Sequence, residues 1–546
     1  MTVAYFGSDV VSKELFNSQL IEHPPSVIAV DAETVSLRER LPLGFAIATS
    51  PSDAWYFKTY PEVDREVELI APLLSNPRIK KVMHNCIFDL RALPLIGALE
   101  NMDRTNIADT NVMARLVGRT RTKLFELSPE VGHIVQDAGS LLAEYGGKTM
   151  LDIPPDILAG KAADDARAAL ALYYHFIPDI DPEYFRVEMD VIPILIDISL
   201  RGVKVNQEDR AKEEARLKKE VAYYRQLCDE EDFNPASNQQ VGYILAKRGN
   251  FLPFTKSRKN LQVNEEQLEF LDDPIAALVL NFRNANKLLT TYVLPLKDED
   301  RIYTEYSLDI VVGRIQSFNR NIQNIPPEIR YIFEPDSGVF TCGDASQEHL
   351  RILMHFSGDR EMQRVYYEGE AGGDIHLRTA KGLNIPRRLA KTVNYAIPYG
   401  ATPWTVKAAA KIRDLDICTR FVDEWLKIYR DAAEWITHAQ DYGMRHNKSL
   451  PTLFGRQFSI PEEYTRWGKI NYEAMKRKAV NYPVLGSDGE IMKRALIICS
   501  KHNIPIALTV HDSIVADGDI EFPISQLETI APVRIPFEVK KTARWG

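Results

Sequence analysis

The segment RRLAKTVNYAIPYG, residues 387–400, sets two cations and two phenols at intervals of four: Arg387, Lys391, Tyr395 and Tyr399. On an α-helix each four-residue step turns about 400°, so these side chains drift by about 40° per step and share one face. A face that is basic at its start and aromatic at its end suits a ligand carrying a polyphosphate at one end and a stacking ring at the other, which describes a nucleotide. An amphipathic helix with snorkelling cationic stems produces the same pattern without a ligand, so the rest of the chain must decide. Pro398 cannot donate to Asn394, and the helix is expected to end or kink just before Tyr399.

Carboxylates supply a second kind of chemistry. SVIAVDAET puts Asp31 and Glu33 two residues apart on an extended segment, hence on one face. HNCIFD adds Asn85 and Asp89 at the start of a helix, and KAADDARAAL adds Asp165 within one. Together Asp31, Glu33, Asp89 and Asp165 can hold the two metal ions of a phosphodiester hydrolase. Asp344 ends the strand-like run GVFTCGDA, and Asp512 is read as lying within another, IPIALTVHDSIVAD. If those strands pair, the two carboxylates form a second metal platform.

These residues need elements to position them. The first 180 residues alternate short β-like runs (26–30, 44–50, 54–57, 80–85) with helical patterns, which is α/β order. IPDIDPEYF, 177–185, looks like a linker, long helical patterns fill 186–300, and a mainly helical stretch separates the strand-like runs around Asp344 and Asp512. A chain of 546 residues is long enough for about three to five compact units. Its net charge of −9 opposes nucleic-acid binding at first sight, but local basic clusters occur at 210–220, 256–260, 387–391 and 475–480. Neither a secretory layout at the N-terminus nor an apolar run of about 20 residues is present, so a cytoplasmic protein with no membrane contact is expected. Five cysteines without a CxxC pair indicate neither a disulfide framework nor a zinc site.

The order DxE, NxxxD and then an Asp in a later helix resembles the 3′ to 5′ proofreading exonucleases of the DnaQ-like superfamily, which implies an RNase H-like fold over 1–180. Asp109 also sits where that family has an Asp. One residue departs: the family commonly carries a tyrosine four residues before the last Asp, orienting the attacking water, and this chain has Lys161 there. Metal binding is expected to survive that change and degradation to be weak.

GRIQSFNRNIQNIP (313–326), DASQEHLR (344–351), RRLAKTVNYAIPYG and VHDS (510–513) resemble, in order, the conserved segments of the family A DNA polymerases, with DIH (374–376), LFGR (453–456), Glu538 and Trp545 fitting as well. The resemblance implies a multidomain α/β and α+β protein, an RNase H-like exonuclease followed by a right-hand polymerase over 186–546. Its thumb would lie at about 190–300, its palm at about 301–350 and 495–546, and its fingers at about 351–494. It implies that Arg387 and Lys391 bind the triphosphate, that Tyr395 packs on sugar and base, and that Tyr399 closes the nascent pair, with Gln347 and His349 beside the nucleotide. Asp344 and Asp512 would hold two Mg2+ ions, with Mn2+ as the substitute, and Lys391 would assist the leaving pyrophosphate. Arg314, Gln323, Asn324, Arg477, Asn481 and His511 would touch primer-template DNA. The partners implied are that DNA and deoxynucleoside triphosphates, the chain acting as a monomer without a 5′ nuclease domain.

Three departures bear on mechanism. Ser513 stands where the family has a third carboxylate, and Leu485 replaces a glutamine expected four residues after Asn481. Five residues after Asp344, where relatives place a glutamate beneath the sugar, stands His349, with Glu348 one place earlier on what is expected to be an extended segment. Weaker exclusion of ribonucleotides follows. Two other readings compete: a single-subunit RNA polymerase-like or primer-making enzyme, and a DNA-binding structural protein with dead sites. The intact Asp344, Asp512 and Lys391 oppose the last.

Overall fold

The computed structural model describes residues 3–6, 17–36, 39–255, 257, 259–412, 414–465 and 467–546. Most of the N-terminal segment read for a leader, and Lys256 and Arg258 of the second basic cluster, lie outside the described residues. Two compact units result. One comprises Met1–Leu200, Glu305–Phe318 and Met492–Ile497; the other comprises Arg201–Thr304, Asn319–Ile491 and Ile498–Gly546.

The first unit is built on a six-stranded sheet of β1 (Val3–Phe6), β2 (Val27–Thr34), β3 (Pro42–Ala48), β4 (Ala54–Lys58), β5 (Lys80–Met83) and β6 (Ile107–Asp109), in the order β1-β4-β3-β2-β5-β6. β1 to β2 meander antiparallel, whereas β5 and β6 add in parallel through crossover connections. The helix Pro155–Phe176 lies on this sheet through Ala159, Ala162, Ala163, Ala166 and Ala169, which join Ala29, Ala46 and Ala48 in one core. Small residues on both surfaces let helix and sheet approach closely, and that brings Asp165 towards β2. Gly44, directly opposite Glu33, leaves room for a side chain of the neighbouring strand: a Cβ there would stand 1.9 Å from the Tyr56 hydroxyl.

A short hairpin of β9 (Glu305–Ser307) and β10 (Gln316–Phe318) packs with this unit. Arg40 meets Glu305 at 2.5 Å, and Arg115 Nε donates to Asp309 at 2.7 Å. Residues 305–318, expected in the palm from sequence, cluster with the N-terminal unit.

In the second unit, β12 (Phe340–Ala345) is the inner strand of an antiparallel sheet with β13 (Ile506–Val510), β14 (Ser513–Asp517) and β15 (Phe537–Thr542), ordered β13-β14-β12-β15. A smaller sheet joins β7 (Val203–Val205), β8 (Arg301–Ile302) and β11 (Phe333–Glu334). The larger sheet shares a core with Leu217 of the long helix Gln207–Glu230 and with Leu288, Leu289 and Val293. A separate, mainly helical core gathers Val393, Phe421, Trp425, Val480 and Val484. The basic cluster at 210–220 is spent on its own helix: Arg210, Arg216 and Lys218 pair with glutamates three or four residues away. No described helix is long and apolar enough to cross a membrane, and all five cysteines are buried and free.

Candidate active sites

In the first unit, Asp31 and Glu33 sit within β2 and Asp165 faces them from its helix, so that one carboxylate oxygen from each lies within 4.8 Å of the others. They line one end of a cavity of about 1000 Å3, whose remaining wall includes His84, Phe88, Phe125, Lys148 and Phe318. Burial, then the Asp165 carboxylate, pushes the Asp31 carboxyl well above its ordinary range. Burial likewise raises Asp165, to about 6, against the opposing pull of Lys161. Glu33 is 5% exposed and Asp165 7%. Buried carboxylates so close together need a cation. All the donors are hard oxygens, and Asp165 Oδ1 is buried without a hydrogen-bond partner. This set fits a divalent ion such as Mg2+ or Mn2+.

Asp89, the fourth carboxylate read from the sequence, is also buried and lies within charge range of Asp31, but it stands outside the group of three. Its Oδ1 accepts from the Ala32 amide at 2.9 Å, which ties its helix (Cys86–Ala92) to β2. Asp109 turns out to be a cap. Its carboxylate accepts from the amides of Asn85 and Cys86, each at 2.9 Å, and of Asn111, so it fastens the starts of two helices. Lys161 enters the cluster itself: its Nζ lies 2.5 Å from Glu33 Oε1 and 2.7 Å from Asp165 Oδ2.

In the second unit, β12 delivers Asp344 with Ser513 directly opposite on β14 and Glu538 directly opposite on β15. Residues facing one another across antiparallel strands project from the same face, so Glu538 stands beside Asp344 on the side away from Ser513. Asp512 is not in a strand, as the sequence suggested. The run 504–517 is a hairpin, Val510 pairs with Ser513, and His511 and Asp512 form its two-residue turn, His511 at φ 56°. The Ala345 amide donates to the Asp512 carbonyl at 3.0 Å and seats that turn against β12. Partial burial, then the charges of Asp512 and Glu538, raise the Asp344 carboxyl to about 6, with Lys391 pulling the other way. Glu538 is therefore a member of this site that the sequence marked only as a matching position.

The helix Arg387–Ala396 carries the stripe, and beyond it Ile397–Tyr399 tightens into a 3-10 turn ending at Gly400, as Pro398 requires. Arg387 and Lys391 are exposed, Tyr395 and Tyr399 half-buried, and Ala390, Val393 and Asn394 buried on the opposite side. The helix is oriented by a buried polar network. Asn394 Oδ1 accepts from Thr379 Oγ1 at 2.9 Å and from Trp425 Nε1 at 2.8 Å, and Asn394 Nδ2 donates to His376 Nδ1 at 2.9 Å. An accepting Nδ1 requires a neutral-side ring nitrogen, and burial does lower His376, to about 4. Asp374 caps the preceding helix through the His376 amide and accepts from Arg387 Nε at 2.6 Å. Lys391 Nζ lies 5.9 Å from the Tyr395 ring centre, and burial, then the charges of Asp512 and Asp344, raise the Tyr395 phenol to about 12.

His349 lies in the first turn of a helix, Glu348–Ser357, and not on an extended segment. Gln347, at φ 53°, makes the sharp reversal from β12 into that helix, a left-handed conformation that no sequence signal at a glutamine discloses. Glu348 is 1% exposed, whereas the His349 ring stands edge-on to both Tyr395 and Tyr399. His349 Nδ1 is 2.5 Å from the Tyr399 hydroxyl, and Nε2 is 3.7 Å from Asp488 Oδ1. Gln347 Oε1 accepts from the Tyr366 hydroxyl at 3.2 Å.

The remaining expected DNA-contacting residues are placed as follows. Arg477 and His511 are exposed, Asn324 is exposed and Gln323 buried in one 3-10 turn, and Asn481 Oδ1 is buried without a hydrogen-bond partner. Arg314 falls within the segment that packs with the first unit.

A family model described as DNA polymerase family A matches residues 203–533, more than half of the chain, and one described as 3′-5′ exonuclease matches residues 8–181. The chain is 28% identical over 90% of its length to DNA polymerase I of Chloroflexus aurantiacus, covering 57% of that protein. It is 30% identical over 63% of its length to DNA polymerase I of Streptococcus pneumoniae, covering 42%. It thus spans about half the length of the curated relatives it matches. Its fold is similar to a solved structure described as the POL domain of Pol1 from M. smegmatis in complex with DNA primer-template and dNTP, with a TM-score of 0.79, 20% identity and 98% of each chain covered.

Proposed function

Since this chain belongs to DNA polymerase family A, with an exonuclease domain ahead of its polymerase region, we propose that it extends a primer on a template with deoxynucleoside triphosphates and trims the new 3′ end by hydrolysis. The observation that carries this reading is the meeting, in the second unit, of carboxylates with the basic and aromatic helix: the Asp344 carboxyl feels the charges of Asp512, Glu538 and Lys391, and the Tyr395 phenol those of Asp512 and Asp344. A carboxylate platform facing a basic and aromatic helix is what joining a nucleotide to a hydroxyl requires.

Bound at Asp344 and Asp512, two Mg2+ ions would activate the primer hydroxyl and neutralise the leaving pyrophosphate. The chain's own residues do the rest. Arg387, steadied by Asp374, and Lys391 receive the triphosphate, and Lys391 offers a proton or charge to the leaving group. Tyr395 and Tyr399 pack on sugar and base, with His349 edge-on to both. Glu538 supplies the third carboxylate that Ser513 lacks. Gln323, Asn324, Arg477, Asn481, His511 and Arg314 follow the primer-template duplex. In the first unit, Asp31, Glu33, Asp89 and Asp165 serve hydrolysis, and the adjoining cavity receives the unpaired 3′ end. The palm is assigned to the β12 sheet, the fingers to about 351–494 and the thumb to the helices of about 190–300, the chain working as a monomer in the cytoplasm of a bacterial or phage-infected cell.

The test is primer extension on a DNA template with deoxy- or ribonucleotides. Extension with a higher kcat/KM for deoxynucleotides supports the proposal. A preference for ribonucleotides would replace it by the RNA polymerase-like reading.

A further inference from the structure

Lys161 does more in the structure than stand where another residue was expected. It lies one helical turn before Asp165, and its ammonium bridges Glu33 Oε1 at 2.5 Å and Asp165 Oδ2 at 2.7 Å. Its side chain is only 11% exposed. The ammonium is thus a firmly held cation among the three carboxylates whose oxygens lie within 4.8 Å of one another.

Two further features set the terms of that arrangement. Asp165 Oδ1, the oxygen Lys161 does not use, is buried without a hydrogen-bond partner, so the carboxylates retain coordinating capacity beyond what one lysine satisfies. The adjoining cavity of about 1000 Å3, which Lys161 lines, has room for a long flexible stem to withdraw. A divalent ion bridging Glu33 and Asp165 would occupy the place of the ammonium, and two cations a few ångströms apart repel in a partly dry site.

We propose that Lys161 is a tethered competitor for the exonuclease metal: it neutralises Glu33 and Asp165, and a divalent ion loads this site only by displacing its ammonium into the cavity. The inference deepens the nuclease reading above and rests on it. Under it, 3′-end removal responds to divalent-ion concentration as a second control, separate from the presence of a substrate end.

The experiment measures Mn2+ binding to the full-length protein by the paramagnetic resonance of free Mn2+, and takes as the exonuclease component whatever Asp31→Ala removes. Lys161→Met keeps the stem and discards the charge, and should tighten that component by about tenfold or more. The Mn2+ concentration giving half-maximal single-strand degradation should fall in parallel. Lys161→Arg retains a cation and should stay within about threefold of the parent. Melting with and without Mn2+ guards against a folding artefact, since Lys161→Met should gain more from the ion than the parent does. Equal or weaker Mn2+ affinity in Lys161→Met would overturn the proposal, because the ammonium would then not stand in the metal's way. Absence of any Asp31-dependent component in every protein would sink the nuclease reading itself and the proposal with it.

Discussion

His349 Nδ1 pairs with the Tyr399 hydroxyl at 2.5 Å, Nε2 faces Asp488 at 3.7 Å, and its ring stands edge-on to the two tyrosines that would receive the sugar. An imidazole offers bulk there and also a hydrogen bond to a 2′ hydroxyl, which partly compensates a ribonucleotide for crowding. His349→Glu should therefore raise the deoxy-to-ribo ratio of kcat/KM by about tenfold, the effect of removing about 1.4 kcal/mol of that compensation. An unchanged ratio in steady-state kinetics would show that this position is not the gate. Asp344 makes a pH prediction. Its carboxyl is raised to about 6, chiefly by burial and then by Asp512 and Glu538. A raised acid stays protonated in the folded protein after the unfolded chain has ionised, so its ionisation costs stability as pH climbs through the interval from about 4 to about 6. Ligation needs the ionised form. Calorimetric Mn2+ affinity at this site should therefore fall by about tenfold per unit as pH drops below about 6 and be flat above it. A flat profile down to about pH 4.5 would contradict the assignment. Both carboxylates were legible from sequence, because a strand end and a short motif announce them. The burial of Glu348 and the approach of Asp488 were not, since an unsignalled left-handed Gln347 turns the chain into a helix there.

The inner strand β12 is the element on which the second site depends. Gly343, next to Asp344, has the Phe537 ring across its face, and a Cβ would fall 2.0 Å from that ring. Gly343→Ala must push Phe537, and with it the strand that carries Glu538. A cost of about 1–3 kcal/mol is expected, typical of overpacking. Extension should slow and melting temperature fall, while degradation of a single-stranded 3′ end is retained. Unaltered extension would mean that the β12 to β15 spacing does not set the site. Several of the strands could be read from apolar runs. Val27–Thr34, Pro42–Ala48, Ala54–Lys58 and Lys80–Met83 overlap the runs at 26–30, 44–50, 54–57 and 80–85, whereas the short strands β1 and β6 to β11, and β15, were not read. The 3-10 turn at Ile397–Tyr399 follows from a single proline. The hairpin at 506–517 escaped because its turn is His511-Asp512, without the glycine or asparagine that usually marks a two-residue loop. The proline-rich stretch at 177–185 escaped for the opposite reason: Pro182 opens a helix, a position where a missing amide costs nothing.

At the scale of the molecule, each unit carries its own group of carboxylates, anchored by Asp31 and Glu33 on one sheet and by Asp344 and Glu538 on the other. What no local pattern could disclose is which distant segments join which unit. The hairpin at 305–318 belongs with the first unit through Arg40, Arg115 and Thr122, residues nearly 200 or more positions away. The net charge of −9 also resolves at this scale, since much of the basic cluster at 210–220 is paired within its helix and the carboxylates gathered in the two sites are positioned for cations. Two sites built on separate sheets should fail separately. The direct measurement is therefore a paired assay of extension on a primed template and 3′-end degradation of a single strand, made on Asp512→Ala and Asp31→Ala with the fold of each checked by circular dichroism. Asp512→Ala should abolish extension and spare degradation, and Asp31→Ala should do the reverse. Loss of both activities in either folded variant would contradict the two-site account.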